Sequence, residues 1–357
     1  MKVHKNIRLK NFSWIKIGGN CTELIETDSD DEFRMIVSRF VKEGKRFEVI
    51  GWGANTLISD RGIDSILIKN RSNHIKVHNQ DIILKSQFLD LSETGLNPKH
   101  NTYKDDNITS GYEYKDINYS EPEAKDIRVY IGAGTSLPYA INTLIDQGIT
   151  GLHMFSGIPG TIGASIYNNI HGGPRLLSEF IENVEFIDDK GDIQVLDNKD
   201  LKFGYDYSLF QESFGVITSA NFILKLGDKD RSRAASIEWV RRKRTQPKNS
   251  LGSTFHNLDL ADQERLGMPT SSTAYLIEHV LKLSGFRVGG IMIPEQTPSD
   301  QIQVNKNMLI NVGDGTADDY LAVMKHVCKV AYEKCGVKLK PEIFFKGFHE
   351  EELDFLR

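Results

Sequence analysis

Two glycine-rich turns about a hundred residues apart, Gly51-Trp52-Gly53-Ala54-Asn55-Thr56 and Gly157-Ile158-Pro159-Gly160-Thr161-Ile162-Gly163, carry the residue types that cradle a phosphate chain. Each follows an apolar stretch that reads as a strand, and runs of small residues leave backbone N–H groups open to an approaching anion. Pro159 fixes the backbone in the second turn while its flanking glycines stay uncovered. Asn55 and Asn169 stand beside the turns, with amides suited either to a phosphate or heterocycle edge or to capping the turns themselves. Neither turn is a Rossmann fingerprint: the third glycine is missing from the first, and strand-like residues follow where a helix should open. The pair points to a dinucleotide held by some other fold.

Two further groups suit proton transfer. Glu342 lies between Pro341 and the apolar Ile343-Phe344-Phe345, a carboxylate entering a strand. Partial burial there would raise its pKa and make it a candidate acid, against the alternative of an exposed glutamate at a strand start. Ser253 sits in a Gly252-Ser253-Thr254-Phe255 turn shortly after the basic stretch Arg241-Arg242-Lys243-Arg244. No Gly-x-Ser-x-Gly elbow surrounds it, which excludes a hydrolase nucleophile of that type. The basic stretch reads as a solvated helix end or as an anion site for a diphosphate. His153, His171 and His256 share no metal-ligand spacing, and no metal site is expected.

These groups need a scaffold of ordinary size. A chain of 357 residues implies two or three domains. A net charge of −5 with 26% charged residues argues against bulk nucleic-acid binding, and no apolar run is long enough to span a bilayer. The opening MKVHKNIRLKNFSWIKIGG has no apolar core of a secretory signal. Cys21, Cys328 and Cys335 are an odd number without ligand spacing, which fits a reducing compartment. Together these lead to the expectation of a cytoplasmic protein.

The pattern predicts a helix over Glu32–Gly44, a strand into the first glycine turn, and strands at Ser65–Asn70 and Ile75–Ser86, the latter bent at Asn79-Gln80-Asp81. Residues 87–125 are polar, without period, and carry Tyr103, Tyr112, Tyr114 and Tyr119: a surface insertion, or a lid. A strand at Arg128–Leu137, a helix with Pro138 in its first turn, a hairpin around Lys190-Gly191-Asp192 and a strand at Val216–Leu226 follow. A polar break near Gly227 suggests a boundary. Beyond it come a helix ending at Pro247, a helix at AYLIEHVLKLSG and a long helix capped by Thr316.

In order, NFSWIKIGGN, VIGWGANTLIS, GAGTSLPYAINTLIDQGITGLHMFSGIPGTIGASIYNN, RTQPKNSLGSTFHN, Val288-Gly289-Gly290, Asn311 to Ala317 and Pro341-Glu342 resemble the segments of the UDP-N-acetylenolpyruvoylglucosamine reductase family. The resemblance spans most of the chain. It implies an α+β fold: a two-lobed FAD-binding domain of the vanillyl-alcohol-oxidase type (1–72 and 73–226), then a C-terminal α/β substrate domain (227–346) and a short tail (347–357). It implies FAD on Gly51, Gly53, Ala54, Asn55, Thr56, Gly157, Ile158, Pro159, Gly160, Thr161, Gly163 and Asn169, with NADPH as co-substrate and a small UDP-sugar as substrate. It further implies Ser253 as proton donor, Glu342 as the group that stabilises the enolate, and Tyr205, Arg242 and Asn257 at the substrate. Neither a membrane nor a nucleic-acid partner is implied.

One position departs from the family. The Tyr-Arg-x-Ser motif reads Tyr205-Asp206-Tyr207-Ser208, a carboxylate where a guanidinium is expected. Two unit charges of like sign about 4 Å apart repel by about 4 kcal/mol at an effective dielectric near 20. His256 in place of the usual lysine and an insertion-like Ile293–Lys306 stretch add to the divergence. The alternative reading is therefore a flavin oxidoreductase of the same fold acting on another nucleotide-linked or sugar substrate. A nucleic-acid-binding role for Arg241 to Arg244 is a third reading, opposed by the net charge.

Overall fold

The computed structural model of the chain describes residues 1–77, 80–83, 116–244, 246–296 and 304–356. Tyr103, Tyr112 and Tyr114, most of the 87–125 insertion, and the middle of the Ile293–Lys306 stretch lie outside the described residues. The chain forms two compact units: Met1–His4, Glu23–Trp52 and Ser65–Arg244 make one, and Lys5–Thr22, Gly53–Asp64 and Thr245–Arg357 the other.

The chain opens with β1 (Lys2–Arg8), β2 (Asn20–Thr27), α1 (Asp30–Lys42), β3 (Phe47–Val49), β4 (Thr56–Ile58) and β5 (Ile63–Asn70). Helix α1 starts two residues before the sequence expectation because Ser29 caps it, its hydroxyl accepting from Glu32 N–H at 3.2 Å. Three acidic residues fill the first turn and Gly44 follows the end in the left-handed region, φ 63°. Phe33, Ile36, Val37 and Phe40 bury its apolar face.

The main sheet of the first unit comprises β6 (His74–Val77), β7 (Gln80–Ile83), β8 (Lys125–Gly132), β9 (Ile149–Thr150), and, beyond two short strands β10 (His171–Gly172) and β11 (Arg175–Leu176), β12 (Ile181–Ile187), β13 (Ile193–Asp197) and β14 (Val216–Leu226). Its order is β13-β12-β14-β8-β6-β7, with β9 beside β14. The β12/β13 hairpin turns at the Lys190-Gly191-Asp192 corner, as expected. Helix α2 (Leu137–Asp146) has Pro138 in its first turn, and α3 (Ile162–Tyr167) carries the second glycine turn at its start. Ile131, Leu144, Phe155, Ile166 and Phe222 lie in one core beneath them.

Helix α4 (Lys229–Arg244) belongs to this unit, so the chain divides after Arg244 rather than near Gly227. Among the contacts that hold it, the Ser156 and Ser236 hydroxyls are hydrogen-bonded at 2.7 Å, and the Trp239 indole N–H donates to Ile117 O at 3.1 Å. Ile117 and Tyr119, the described end of the polar insertion, are themselves buried.

The second unit is assembled from three stretches of sequence, two of them joined where β4 pairs in parallel with β18 (Phe344–Lys346), Thr56 opposite Phe344. Between them run α5 (Leu260–Arg265), α6 (Thr273–Tyr275), the short strands β15 (Arg287–Val288), β16 (Ile291–Met292) and β17 (Ile310–Asn311), and α7 (Ala317–Cys335). Thr316 and Asp319 form a reciprocal capping box on α7, and Gly336 ends it at φ 65°. The AYLIEHVLK stretch, read as a regular helix, continues from α6 as a π-helical turn over Leu276–Leu281 and stops at Lys282 in the left-handed region. No described helix is long and apolar enough to cross a membrane.

Two buried polar groups make the stability of the first unit testable. Asp30 is buried and accepts from the Ser72 hydroxyl, from His74 Nδ1 at 3.0 Å and from the Tyr130 hydroxyl at 3.1 Å. The burial of Tyr130, then the Asp30 charge beside it, push that phenol up to about 12. Asp30→Ala orphans three donors and should cost roughly 2–4 kcal/mol in urea unfolding, with Asp30→Asn losing less. His153 is stacked on Tyr119, centroids 4.5 Å apart, and is 2% exposed. Burial holds its imidazole down at about 4, with the Tyr119 backbone and the Glu121 carboxylate pulling weakly upward. The unfolded chain takes up this proton near pH 6.5 and the folded chain only near pH 4, so stability is complete above pH 6.5 and falls across that window, by roughly 3 kcal/mol in full. His153→Leu should flatten that acid slope when unfolding is compared at pH 7 and 4.5.

Candidate active site

In the first unit the second glycine turn is laid across the end of β8. Ile162 N–H donates to Thr135 O and Gly163 N–H to Ala133 O, both at 2.9 Å, while Leu137 N–H donates to Gly160 O at 3.0 Å. The fit requires glycine. A Cβ on Gly163 would stand 2.9 Å from the Ala133 Cβ, and Gly157 (φ 82°) and Gly160 (φ 146°) take backbone conformations that side chains rarely adopt. A Cβ on Gly160 would meet nothing within 4 Å, an open space beside the turn. Ile158 and Pro159 are half-buried between these glycines, and the Thr161 hydroxyl caps α3 by accepting from Ala164 N–H at 3.3 Å.

The first turn meets the second here. A Cβ on Gly51 would stand 3.4 Å from both Thr161 Oγ1 and Ala164 Cβ, so two turns a hundred residues apart in sequence share one surface. Small residues, open space and left-handed glycines are what the approach of a pyrophosphate requires, and the residues present fit a dinucleotide cofactor. Asn169 is fully buried at φ 42°: its amide N–H donates to Gly204 O at 2.7 Å and its Oδ1 accepts from Ser178 N–H at 2.8 Å. These two bonds brace the turn at Gly204 and the segment at Ser178.

Tyr205 and Asp206 lie on the turn that Asn169 braces, Tyr205 exposed and Asp206 half-buried at φ 52°. Arg242 is on α4, its Nε–H donating to Glu238 at 2.9 Å and its guanidinium 5.8 Å from the Trp239 ring. Burial lowers the pKa of its neighbour Lys243.

The second unit gathers the proton-transfer candidates. Glu342 N–H donates to Thr254 O and His256 N–H to Lys340 O, both at 2.9 Å, with Phe255 bridged to Pro341. This antiparallel pairing sets the Ser253 turn beside the segment that carries Glu342, and both side chains are half-buried. Gly252 enters the turn at φ 83°. Asn55 joins the first glycine turn to the same segment: its side-chain amide donates to Glu342 O at 3.2 Å and its carbonyl accepts from Phe344 N–H at 3.0 Å. Ala54 and Thr56 flank it, half-buried. Gly53, at φ 63°, lies where a Cβ would come within 3.3 Å of Phe12 O. Asn257 is exposed at its backbone turn, its Oδ1 accepting from Thr273 N–H at 3.2 Å.

Two supporting residues escaped sequence reasoning. Asn307 clamps the serine turn from behind: its amide donates to Phe255 O at 2.6 Å, its Oδ1 accepts from Phe255 N–H at 3.0 Å, and its carbonyl accepts from Thr254 N–H at 2.7 Å. Tyr320, wholly buried on α7, shares a hydrogen bond of 3.0 Å with the Thr254 hydroxyl, and burial drives its phenol well above the usual range. Nothing in the local pattern marks Asn307; Tyr320 is legible only as part of the apolar stripe of α7. A hydroxyl and a carboxylate on two paired, braced segments are equipped to deliver a proton and to shape charge at a neighbouring carbon.

Comparison with known proteins identifies the parts. Residues 245–345 match the family described as UDP-N-acetylenolpyruvoylglucosamine reductase, C-terminal domain, and residues 114–197 match an FAD binding domain. The UDP-N-acetylenolpyruvoylglucosamine reductase of Caldanaerobacter subterraneus subsp. tengcongensis is 27% identical over 350 residues, 97% of this chain and 94% of the relative. That of Limosilactobacillus fermentum is 31% identical over 222 residues, 61% of this chain and 68% of the relative. The crystal structure of the enzyme of that name from Thermus caldophilus shares the fold, with a TM-score of 0.65 at 23% identity over 97% of this chain and 99% of that one. An α+β chain with an FAD-binding domain, and with a serine turn paired to a glutamate segment inside a matched C-terminal domain, is a member of the UDP-N-acetylenolpyruvoylglucosamine reductase family.

Proposed function

We propose that this protein is a flavoprotein oxidoreductase that reduces UDP-N-acetylglucosamine enolpyruvate to UDP-N-acetylmuramate with NADPH, a step in peptidoglycan precursor synthesis. The observation that carries the reading is likeness to reductases of that name over nearly the whole of both chains. Bound FAD would supply the redox chemistry, linking NADPH as reductant to C3 of the enolpyruvyl ether as hydride acceptor.

The chain's own residues do the rest. In the first unit, Gly51 and the turn from Gly157 to Gly163 hold the cofactor by close backbone approach, a role that larger side chains would block. In the second unit, Gly53, Ala54, Asn55 and Thr56 serve the cofactor. There the Ser253 hydroxyl donates the proton that C2 requires, and Glu342, as a neutral carboxylic acid, donates a hydrogen bond to the enolate oxygen on which negative charge builds up. Tyr205, Arg242 and Asn257 are assigned to the UDP-sugar. Location in the cytoplasm agrees with this chemistry, whose substrates are soluble nucleotides, and a net charge of −5 gives nucleic acid no general attraction.

Anaerobic stopped-flow tests the reading. FAD-loaded protein reduced by NADPH and mixed with UDP-N-acetylglucosamine enolpyruvate should be reoxidised rapidly, as followed by flavin absorbance. Reduction without reoxidation would move the search to another nucleotide-linked or sugar acceptor. Ser253→Ala should slow reoxidation by about 10²–10⁴-fold, the usual range for a lost general acid, while FAD still binds.

A further inference from the structure

We propose that His171 is a positioning residue of the sugar-nucleotide site: anchored by Asp206, it fixes the ring of Tyr205 in the orientation that receives substrate. This rests on the reading of Tyr205 as a substrate contact. Tyr205 is 54% exposed, yet its ring is stacked on the His171 imidazole, centroids 5.0 Å apart and planes 19° from parallel. An exposed tyrosine ordinarily samples several rotamers, and fixing it costs entropy that a flat neighbour offsets before substrate arrives.

The imidazole is itself held. His171 Nδ1 lies 3.2 Å from Asp206 Oδ1, and the backbone that presents this carboxylate is at φ 52°, a conformation that costs a non-glycine residue energy. Three hydrogen bonds keep it there. The Gln211 amide donates to Asp206 O at 2.9 Å, the Asn169 amide to Gly204 O at 2.7 Å, and the Ser208 hydroxyl to Tyr167 O at 2.7 Å. The turn is thus locked onto the 167–171 loop, and its strain aims Asp206 at His171. The chain of action runs Asp206 to His171 to Tyr205. It also assigns a task to the carboxylate that replaces the family's arginine.

The test uses the FAD-loaded holoenzyme under anaerobic turnover, with FAD content as the check on folding. His171→Ala should raise KM for UDP-N-acetylglucosamine enolpyruvate about tenfold with kcat changed much less, and His171→Phe, which keeps a flat ring, should recover most of the loss. Asp206→Asn, which weakens the anchor, should fall between them. In a double-mutant cycle, His171→Ala should add little once Tyr205 is Ala. An unchanged KM in His171→Ala, a His171→Phe variant as impaired as His171→Ala, or full additivity with Tyr205→Ala would overturn the role while leaving the function standing. Wild-type protein that this substrate does not reoxidise would overturn the function, and the role with it.

Discussion

The pairing of residues 254–256 with 340–342 is the constraint on which the second unit depends. Its two backbone hydrogen bonds, flanking the Phe255–Pro341 bridge, set the serine turn and the glutamate segment side by side from positions nearly ninety residues apart. Each such bond is worth only about 1 kcal/mol net, while a buried partner left unsatisfied costs about 1–3. Satisfaction of every neighbour therefore matters more than the strength of any one bond. Asn307 meets Phe255 with both ends of its amide, Tyr320 meets the Thr254 hydroxyl, and Asn55 meets the far edge at Glu342 O. The packing of α7 exists in part to place that phenol, since Tyr320 is wholly buried and its neighbours Leu321, Val323 and Met324 fill the same core.

In the first unit the same logic uses shape rather than hydrogen-bond number. The second glycine turn lies flat on the end of β8 because Gly163 has no Cβ to strike Ala133, and Gly51 lies where an added Cβ would reach Thr161 and Ala164 at 3.4 Å. Behind them, Asp30 ties the start of α1 to β6 and β8, and a Cβ on Gly132 would fall within 2.6 Å of its carboxylate. Glycine clears both contacts, Gly163 on the turn against Ala133 and Gly132 on the strand against the Asp30 carboxylate.

Elements governed by local pattern were legible in the sequence. Strand β14 has the limits that its apolar run indicates, α1 differs by two residues at each end, and Thr316 with Asp319 announces α7. Contacts between distant segments were not. Nothing near Thr56 foretells a parallel partner at Phe344, so the second unit's three-part construction is invisible until the strands pair. Helix α4 reads as a new beginning after a polar break, but its Ser236 and Trp239 commit it to the first unit. The asparagines illustrate the limit most directly: Asn55 and Asn169 were recognisable as polar groups beside turns, and only the geometry distinguishes bracing a loop from facing a ligand. Asn307, which carries more of the serine turn than either, has no local signature at all.

Asp206 marks where composition and geometry part. By residue type alone, a carboxylate in place of an arginine opposes an anionic substrate, with about 4 kcal/mol at stake for unit charges about 4 Å apart. That figure is for two bare charges. Here the left-handed backbone and the Gln211 and Asn169 amides turn the residue toward His171, and one of its oxygens is taken by the imidazole at 3.2 Å. Both oxygens of a carboxylate share its charge, so engaging one with a donor draws density away from the other and weakens the field toward any group beyond. The cost falls on the backbone, which holds φ 52° without glycine's freedom, and strain of this kind persists only where neighbouring contacts enforce it. A turn so braced holds the carboxylate in contact with His171, and that contact is the local partner of the charge at this position.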